Sequence, residues 1–327
     1  MRWFVDGWSP GYGASFEAGD GSGPSAKSSA TVDPDVEVPS GAWRALMAPA
    51  DVRAPDVVLL VDGVRRIDAI LWTGEDDGAS HPGLAASYAA GVVRCDLRRG
   101  VAELLGDCCR IGRGLFTASP SATDLEGGQV RYAVHQVRHG SLEQLPAAVQ
   151  GPLTELEVGV SAKARAAESD LLVVDGPLRN RRQLPGTIGY VKTQQGQYLP
   201  RHLAAIVPTL RPGQRTPVFR LGTRWDSHSW YLRLPGAPGA PWSGIVRVEC
   251  SVDWPVAEAI ALADLSVVTL PRFASTAYKD PRAPQNLVPI AGLERRLRGM
   301  LGDARLLHRT LTLAAARSAP AVVTASA

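Results

Sequence analysis

The sequence predicts an α/β protein built on a mixed sheet, with additional helices towards its C-terminus. Short runs rich in Val, Ile and Leu recur through the first 250 residues and are typical of strands. An amphipathic helical pattern interrupts them at about residues 153–167, and a leucine-rich helical pattern follows at 293–311. Strands, one helix, more strands and late helices are typical of the α/β class.

The strand predictions rest on apolar runs that are bounded by turn residues. The first two runs, Val57–Val61 and Ile67–Trp72, flank the sequence DGVRR and are expected to form a hairpin. The other predicted strands are Gly91–Leu97, Val130–Val137, Leu171–Val174, Ile188–Val191, Ser229–Leu234 and Ile245–Cys250.

The helix predictions rest on apolar residues that recur every three or four positions. One such set predicts a helix that ends before Asp170; its members are Leu153, Leu156, Val160, Ala164 and Ala167. The late helical pattern contains Leu293, Leu297, Met300, Leu301, Leu306, Leu307 and Leu311.

Composition divides the chain into three parts. Residues 9–42 are rich in Gly, Ser, Pro and Asp, so we expect residues 1–50 to form a partly flexible N-terminal segment. Residues 51–315 are expected to form the main domain, and 316–327 a frayed tail.

The composition also excludes several classes of protein. With 327 residues, of which 45% are hydrophobic, the chain can bury a full core. No run approaches the roughly 18 apolar residues of a membrane-spanning helix, and the first residues lack a secretory pattern, so we expect a cytoplasmic protein without a membrane partner. The cysteines Cys95, Cys108, Cys109 and Cys250 show no zinc-ligand spacing and are expected to be buried, inert thiols.

Basic residues are concentrated in one quarter of the sequence. Residues 176–250 contain eleven basic residues, opposed only by Asp226 and Glu249. Such a local excess attracts polyanions and permits a nucleic-acid partner. An arginine-rich solvated surface is the alternative.

The motif of greatest interest is a buried strand that runs into Asp-Gly, and it occurs twice. VVLLVDG ends at Asp62-Gly63, and LLVVDG ends at Asp175-Gly176. In the helix before the second strand, a repeat of about 100° per residue places Glu157 at the edge of the apolar stripe, whereas Glu155 faces away. An acid on the core side is costly without compensation.

Asp62, Glu157 and Asp175 are therefore candidates for one acidic cluster. Carboxylates held together repel, and a divalent cation relieves that repulsion. Oxygen ligands favour Mg²⁺ or Mn²⁺, and a site of this kind suits phosphodiester hydrolysis. The alternative is that Asp-Gly is only a turn signal in both places. The sequence has no Walker loop, no G-x-S-x-G and no H-E-x-x-H.

Several short motifs, taken in order, resemble the NurA nuclease family. They span residues 59–297, and the similarity extends over about 56–312: LLVDGVRRIDA (Leu59–Ala69), LLVVDGPL (Leu171–Leu178), IGYVKT (Ile188–Thr193), WYLRL (Trp230–Leu234), VRVE (Val246–Glu249) and DPRAPQNLVPIAGLERRL (Asp280–Leu297).

The resemblance implies an RNase H-like mixed sheet flanked by helices, with additional C-terminal helices. It implies a Mn²⁺- or Mg²⁺-dependent DNA nuclease, of the single-strand endonuclease and 5'–3' exonuclease type. It also implies a homodimer that acts with a HerA-like hexameric ATPase in DNA end resection and double-strand break repair. The alternative from another class is a non-catalytic DNA-binding or ATPase-docking subunit.

The resemblance also assigns roles to residues. The family's two strand-end acids fall on Asp62 and Asp175. Its helical Glu falls on Glu155 or Glu157, and the helical face selects Glu157. Lys192 of GYVKT is expected to contact a phosphate or leaving group.

Many family members carry a His on a late helix, and the comparable stretch APQNLVPIAGLE has none. Asn286 or Asp280 can substitute for that His, and Tyr278 can assist, although a structural role is the alternative for each.

A DNA-binding groove is expected along the basic stretch. Arginines with an interleaved aromatic residue, Trp225, suit a surface that follows a phosphate backbone and stacks bases. Arg247 is expected to pair structurally with Glu249. The predicted DNA-binding residues are Arg179, Arg181, Arg182, Arg220 and Arg224.

Overall fold

A computed structural model of the chain describes residues 30–138, 140–165, 171–192, 198–222, 226–236 and 239–318. The chain divides into two compact units. The first comprises Met1–Asp62, Gly91–Cys108 and Val158–Leu293, and the second comprises Gly63–Ala90, Cys109–Glu157 and Glu294–Ala327.

The described residues contain twelve strands and six α-helices. The strands are β1 (Thr31–Asp33), β2 (Val57–Gly74), β3 (Ser80–Asp96), β4 (Val101–Leu104), β5 (Arg110–Thr117), β6 (Leu125–Gly127), β7 (Val130–Gln136), β8 (Leu171–Asp175), β9 (Thr187–Val191), β10 (Phe219–Gly222), β11 (Ser227–Arg233) and β12 (Ile245–Ser251). The helices are α1 (Leu145–Ala148), α2 (Gln150–Arg165), α3 (Arg201–Ala204), α4 (Val256–Thr269), α5 (Val288–Met300) and α6 (Ala304–Ser318).

The strands form a mixed sheet, which confirms the predicted α/β class. Their order is β1-β10-β11-β12-β9-β8-β2-β3-β5-β7-β6, with β4 paired to β3. The three strands β2, β8 and β9 are parallel, whereas β9, β12, β11 and β10 are antiparallel neighbours. Every predicted strand overlaps an observed one.

Residues near the N-terminus cover one edge of the sheet in the first unit. β1 pairs with the edge strand β10, and Trp43 packs beside Phe219 and Tyr231 in a hydrophobic cluster. Buried Arg215 is held by Glu37 at 2.8 Å and by Asp264 at 2.7 Å. The described end of the expected flexible segment is thus attached to the sheet.

The second unit packs α6 onto the far strands. Leu311 joins Leu115 and Tyr132 in a small core. Buried Asp68 accepts a hydrogen bond of 2.9 Å from the Tyr132 hydroxyl, and burial raises the pKa of Tyr132 to about 12. These contacts tie three strands to the C-terminal helix.

The predicted hairpin between Val57 and Trp72 is wrong, because β2 is one continuous strand. Gly63 lacks the positive φ that a tight turn needs. A Cβ at Gly63 would lie 2.7 Å from Leu153 Cδ1 and 2.5 Å from Glu157 Oε1. The glycine is therefore required by helix α2, which packs closely on the strand.

The helices agree with their patterns. In α2, Leu153, Val160 and Ala164 are buried, and Ala167 lies outside the described residues. The late pattern corresponds to α5 and α6, and α6 reaches Ser318, so the predicted tail is helical at its start. All four cysteines are buried and free, as predicted. Within the described ranges, no helix is both long and apolar enough to cross a bilayer.

Candidate metal centre

Asp62 and Asp175 occupy equivalent places on two neighbouring parallel strands. The register of β2 and β8 pairs Val61 with Val174, and an aspartate follows directly in each strand. Strand β8 ends at Asp175, whereas β2 continues past Asp62 to Gly74, so the parallel register of the two strands brings the carboxylates together. The two Asp-Gly motifs of the sequence therefore lie side by side in the sheet.

Glu294 on α5 adds a third carboxylate. One oxygen from each of Asp62, Asp175 and Glu294 lies within 4.8 Å of the other two, and none of the three residues is exposed. Among the described residues, this is the group of acidic, His or Cys side chains that can hold a metal ion. The donors are all carboxylate oxygens, a set that fits Mn²⁺ or Mg²⁺.

The turn after Asp175 fixes the direction of that strand end. Gly176 has φ +99°, a conformation that favours glycine, and the Leu178 amide donates to buried Glu249 at 2.7 Å. A Cβ on Gly189 would lie 2.8 Å from the Leu178 nitrogen, so only glycine lets the turn cross β9 this closely. Arg247 pairs with Glu249, which confirms the structural pairing predicted for Arg247.

Lys192 lies against the acidic group. Its ammonium pairs with Asp175 Oδ2 and donates to Asn286 Oδ1 at 2.9 Å. Only 10% of the Lys192 side chain is exposed. The lysine therefore supplies a positive charge beside Asp175 at the end of strand β9.

Two successive residues hold Lys192 at both of its ends. The Gln285 side-chain amide donates to the Lys192 carbonyl at 3.0 Å, while Asn286 accepts from the ammonium. The Tyr190 hydroxyl in turn donates to the Gln285 carbonyl at 2.6 Å. Burial, and then the charge of Asp175, raise the pKa of Tyr190 well above its ordinary value, so it stays a neutral donor.

Asn286 and Asp280 belong to this network. The Asn286 amide nitrogen donates to Asp280 Oδ2 at 2.6 Å, and its oxygen faces Lys192. Burial acts to raise the pKa of Asp280, but hydrogen bonds from Asn286 and Arg282 outweigh it and lower that pKa. Tyr278 is 82% exposed, with the Lys279 ammonium over its ring.

The two glutamates of α2 differ as the helical periodicity predicts. Glu155 is exposed, and Glu157 is partly buried with its carboxylate against Gly63. Gly63 directly follows Asp62 in the chain. Glu157 is not a member of the acidic group that contains Glu294.

The predicted DNA-binding arginines occupy different environments. Arg181 is 1% exposed, and exposed Arg220 pairs with Asp226 at 2.6 Å. Arg179 and Arg182 are partly exposed, and Arg182 lies 3.7 Å from Asp253. Arg224 and Trp225 lie outside the described residues.

The chain was compared with protein-family models and with curated proteins. No family model matches the chain, and no curated protein matches its sequence.

Glu294 is the site residue that sequence reasoning missed. It is the final residue of APQNLVPIAGLE, the stretch in which the NurA resemblance leads one to expect a His. Attention to other metal-binding side chains in that stretch would have found it. Its helical position between buried Leu293 and Leu297 gives no separate signal.

Proposed function

We propose that this protein is a metal-dependent deoxyribonuclease that hydrolyses phosphodiester bonds. The observation that carries the proposal is the convergence of the carboxylates of Asp62, Asp175 and Glu294. Three acids in one place favour a divalent cation, because it offsets their mutual repulsion. When bound, Mn²⁺ or Mg²⁺ would make water more acidic and stabilise negative charge on the phosphate and leaving oxygens.

The residues of the chain divide the remaining work. Asp62, Asp175 and Glu294 would hold the cation, and the Glu157 carboxylate lies against Gly63, the residue after Asp62. Lys192 offers a fixed ammonium beside Asp175, in reach of a phosphate that approaches the acidic group. Asn286 and Gln285 keep that ammonium in place.

The class that these features suit is the metal-dependent nucleases whose acids lie side by side on neighbouring strands. Within that class, we propose a relationship with the NurA nucleases and their RNase H-like core, on the motifs described above. Glu294 then takes the place of the family's late-helix His, since carboxylate and imidazole both bind Mn²⁺. End resection with a HerA-like ATPase, endo- and exonuclease activity and a homodimer are further parts of this proposal.

A rival function is a non-catalytic DNA-binding or ATPase-docking subunit. The observation that favours it is the ion pair between Lys192 and Asp175, which neutralises that acid without a metal ion.

A cleavage assay separates the two functions. Labelled single- and double-stranded DNA would be incubated with Mn²⁺ or with EDTA, using wild type and Asp62→Asn. The nuclease proposal expects products only with Mn²⁺ and wild type. Equal amounts of product from both proteins, or none from wild type, would favour the rival.

A further inference from the structure

A set of exposed arginines covers helices α5 and α6. All six lie on the surface of the second unit, and no ion pair of the described residues includes their guanidinium groups. The only acids in the same stretch are Glu294 and Asp303, and Asp303 accepts from the backbone amides of Arg305 and Leu306. The six arginines, here called the α5–α6 arginines, are Arg295, Arg296, Arg298, Arg305, Arg309 and Arg317.

The arginines of residues 176–250 are used differently. Three of them are held in ion pairs: Arg215 with Glu37 and Asp264, Arg247 with Glu249, and Arg220 with Asp226. The Arg233 guanidinium donates hydrogen bonds to the backbone carbonyls of Ser243, Pro208 and Pro241. The Arg181 side chain is buried. A guanidinium already held by a carboxylate or carbonyl contributes little attraction to a polyanion. The charge excess of that stretch is therefore smaller at the surface than in the sequence.

The two helices present these arginines outward because their apolar sides are occupied. Leu297 of α5 and Leu307 and Leu311 of α6 are buried. α6 packs so closely on β6 that a Cβ at Gly127 would lie 2.6 Å from Thr310 Cγ2. Polar groups therefore remain for solvent or a partner.

We infer that the α5–α6 arginines form the surface that contacts the phosphate backbone of DNA. This inference rests on the proposed function, since it takes DNA as the partner. Arg305 and Arg309 are four residues apart in α6, about 6 Å along the helix axis. Phosphates of one strand follow each other every 3.4 Å or so of duplex axis, so neighbouring arginines reach phosphates of the same strand.

An anionic membrane is the competing partner for a basic helix. A helix that binds a membrane buries a broad apolar face in lipid. Here most of that face is already packed inside the protein, and the large apolar residues of the two helices that are exposed are Val288, Leu306 and Leu313, at 55%, 65% and 54%. The charge pattern thus favours a phosphate backbone.

The test compares two triple variants with the same change in charge. Arg298, Arg305 and Arg309 are replaced by Gln in one, and Arg44, Arg201 and Arg211 by Gln in the other. All six are exposed in the wild type. Binding of a labelled 30-mer, as single strand and as duplex, is measured by fluorescence anisotropy in EDTA at several salt concentrations. Circular dichroism confirms that both variants fold.

We expect the α5–α6 variant to bind duplex DNA about tenfold or more weakly than wild type. Its salt dependence should fall by roughly two to three phosphate contacts, with little change in the control variant. Equal losses in both variants, or a loss in the control alone, would overturn the inference. So would wild-type binding to phosphatidylserine vesicles without binding to DNA, or binding to neither. EDTA stops cleavage, so this experiment measures DNA binding separately from nuclease activity. If the protein binds DNA through these arginines but shows no Mn²⁺-dependent cleavage, the nuclease proposal is contradicted and the DNA-binding inference is retained.

Discussion

Asp62 and Asp175 follow Val61 and Val174, which are partners in the parallel ladder of β2 and β8. The same ladder that forms the core therefore sets the position of both carboxylates. One of these aspartates continues an unbroken strand, and the other precedes a tight turn at Gly176. The two identical Asp-Gly motifs thus have different local structures and a shared location.

The first prediction concerns these two acids. We expect Asp62→Asn and Asp175→Asn each to lower Mn²⁺-dependent cleavage about a hundredfold or more, because each removes a charged oxygen ligand. Cleavage rates with saturating DNA would measure the effect. Urea unfolding serves as the control, since both variants should remain folded. Wild-type rates in either variant would contradict the assignment.

The second prediction concerns the glutamates around the site. Glu294→Gln should lower cleavage strongly, whereas Glu294→His should retain more activity, because imidazole also binds Mn²⁺. Glu157→Gln should reduce cleavage as well, and exposed Glu155→Gln provides the matched control on the same helix. A loss with Glu155→Gln and none with Glu157→Gln would refute the helical-face argument.

The third prediction concerns the hold of Asn286 on Lys192. Asn286→Leu should lower the turnover rate with little change in KM, because the ammonium loses its acceptor at 2.9 Å. In a Lys192→Met background the same change should add almost nothing, since Asn286 acts through the lysine. Additive losses in the double variant would mean that Asn286 acts independently.

The fourth prediction concerns stability in the first unit. Arg215→Ala leaves Glu37 and Asp264 without their buried partner and should destabilise the protein by about 3–5 kcal/mol. The exposed pair of Arg220 and Asp226 supplies the comparison, and Arg220→Ala should cost no more than about 1 kcal/mol. Urea unfolding would measure both, and equal costs would argue against the buried network.

The fifth prediction concerns acid stability. The pKa of Asp280 is lowered in the folded protein, so its carboxylate stabilises the fold above the ordinary value of about 3.9. That contribution is lost as pH falls through the lowered folded value. Asp280→Asn should therefore lose less stability than wild type between pH 6 and pH 3. Parallel stability curves would show that Asp280 gains nothing from Asn286 and Arg282.

Local patterns predicted much of the fold. The alternation of apolar runs and turns placed β7, β8, β9, β11 and β12 but not β10, and spacing along α2 separated Glu155 from Glu157. Helix α4 was missed because its sequence is apolar on nearly every side and carries little periodicity. The turn predicted at Asp62-Gly63 is wrong, because Gly63 is needed to make room for Leu153 and Glu157, about ninety residues later in the chain.

The site was predictable only where short-range signals existed. The repeated run of apolar residues into Asp-Gly marked Asp62 and Asp175, although β2 continues past Asp62. The approach of Glu294 depends on how α5 packs, which no local pattern records. The same limit applies to charge. Counting arginines along residues 176–250 could not reveal that Arg215 is buried in ion pairs with the distant residues Glu37 and Asp264.

The most direct test measures Mn²⁺ binding in the absence of DNA, by electron paramagnetic resonance or calorimetry. It compares the wild type with Asp62→Asn and Asp175→Asn. The account predicts saturable binding by wild type that is lost or weakened at least about tenfold in each variant. Binding that is absent from wild type, or unchanged in both variants, would contradict a cation site formed by Asp62 and Asp175.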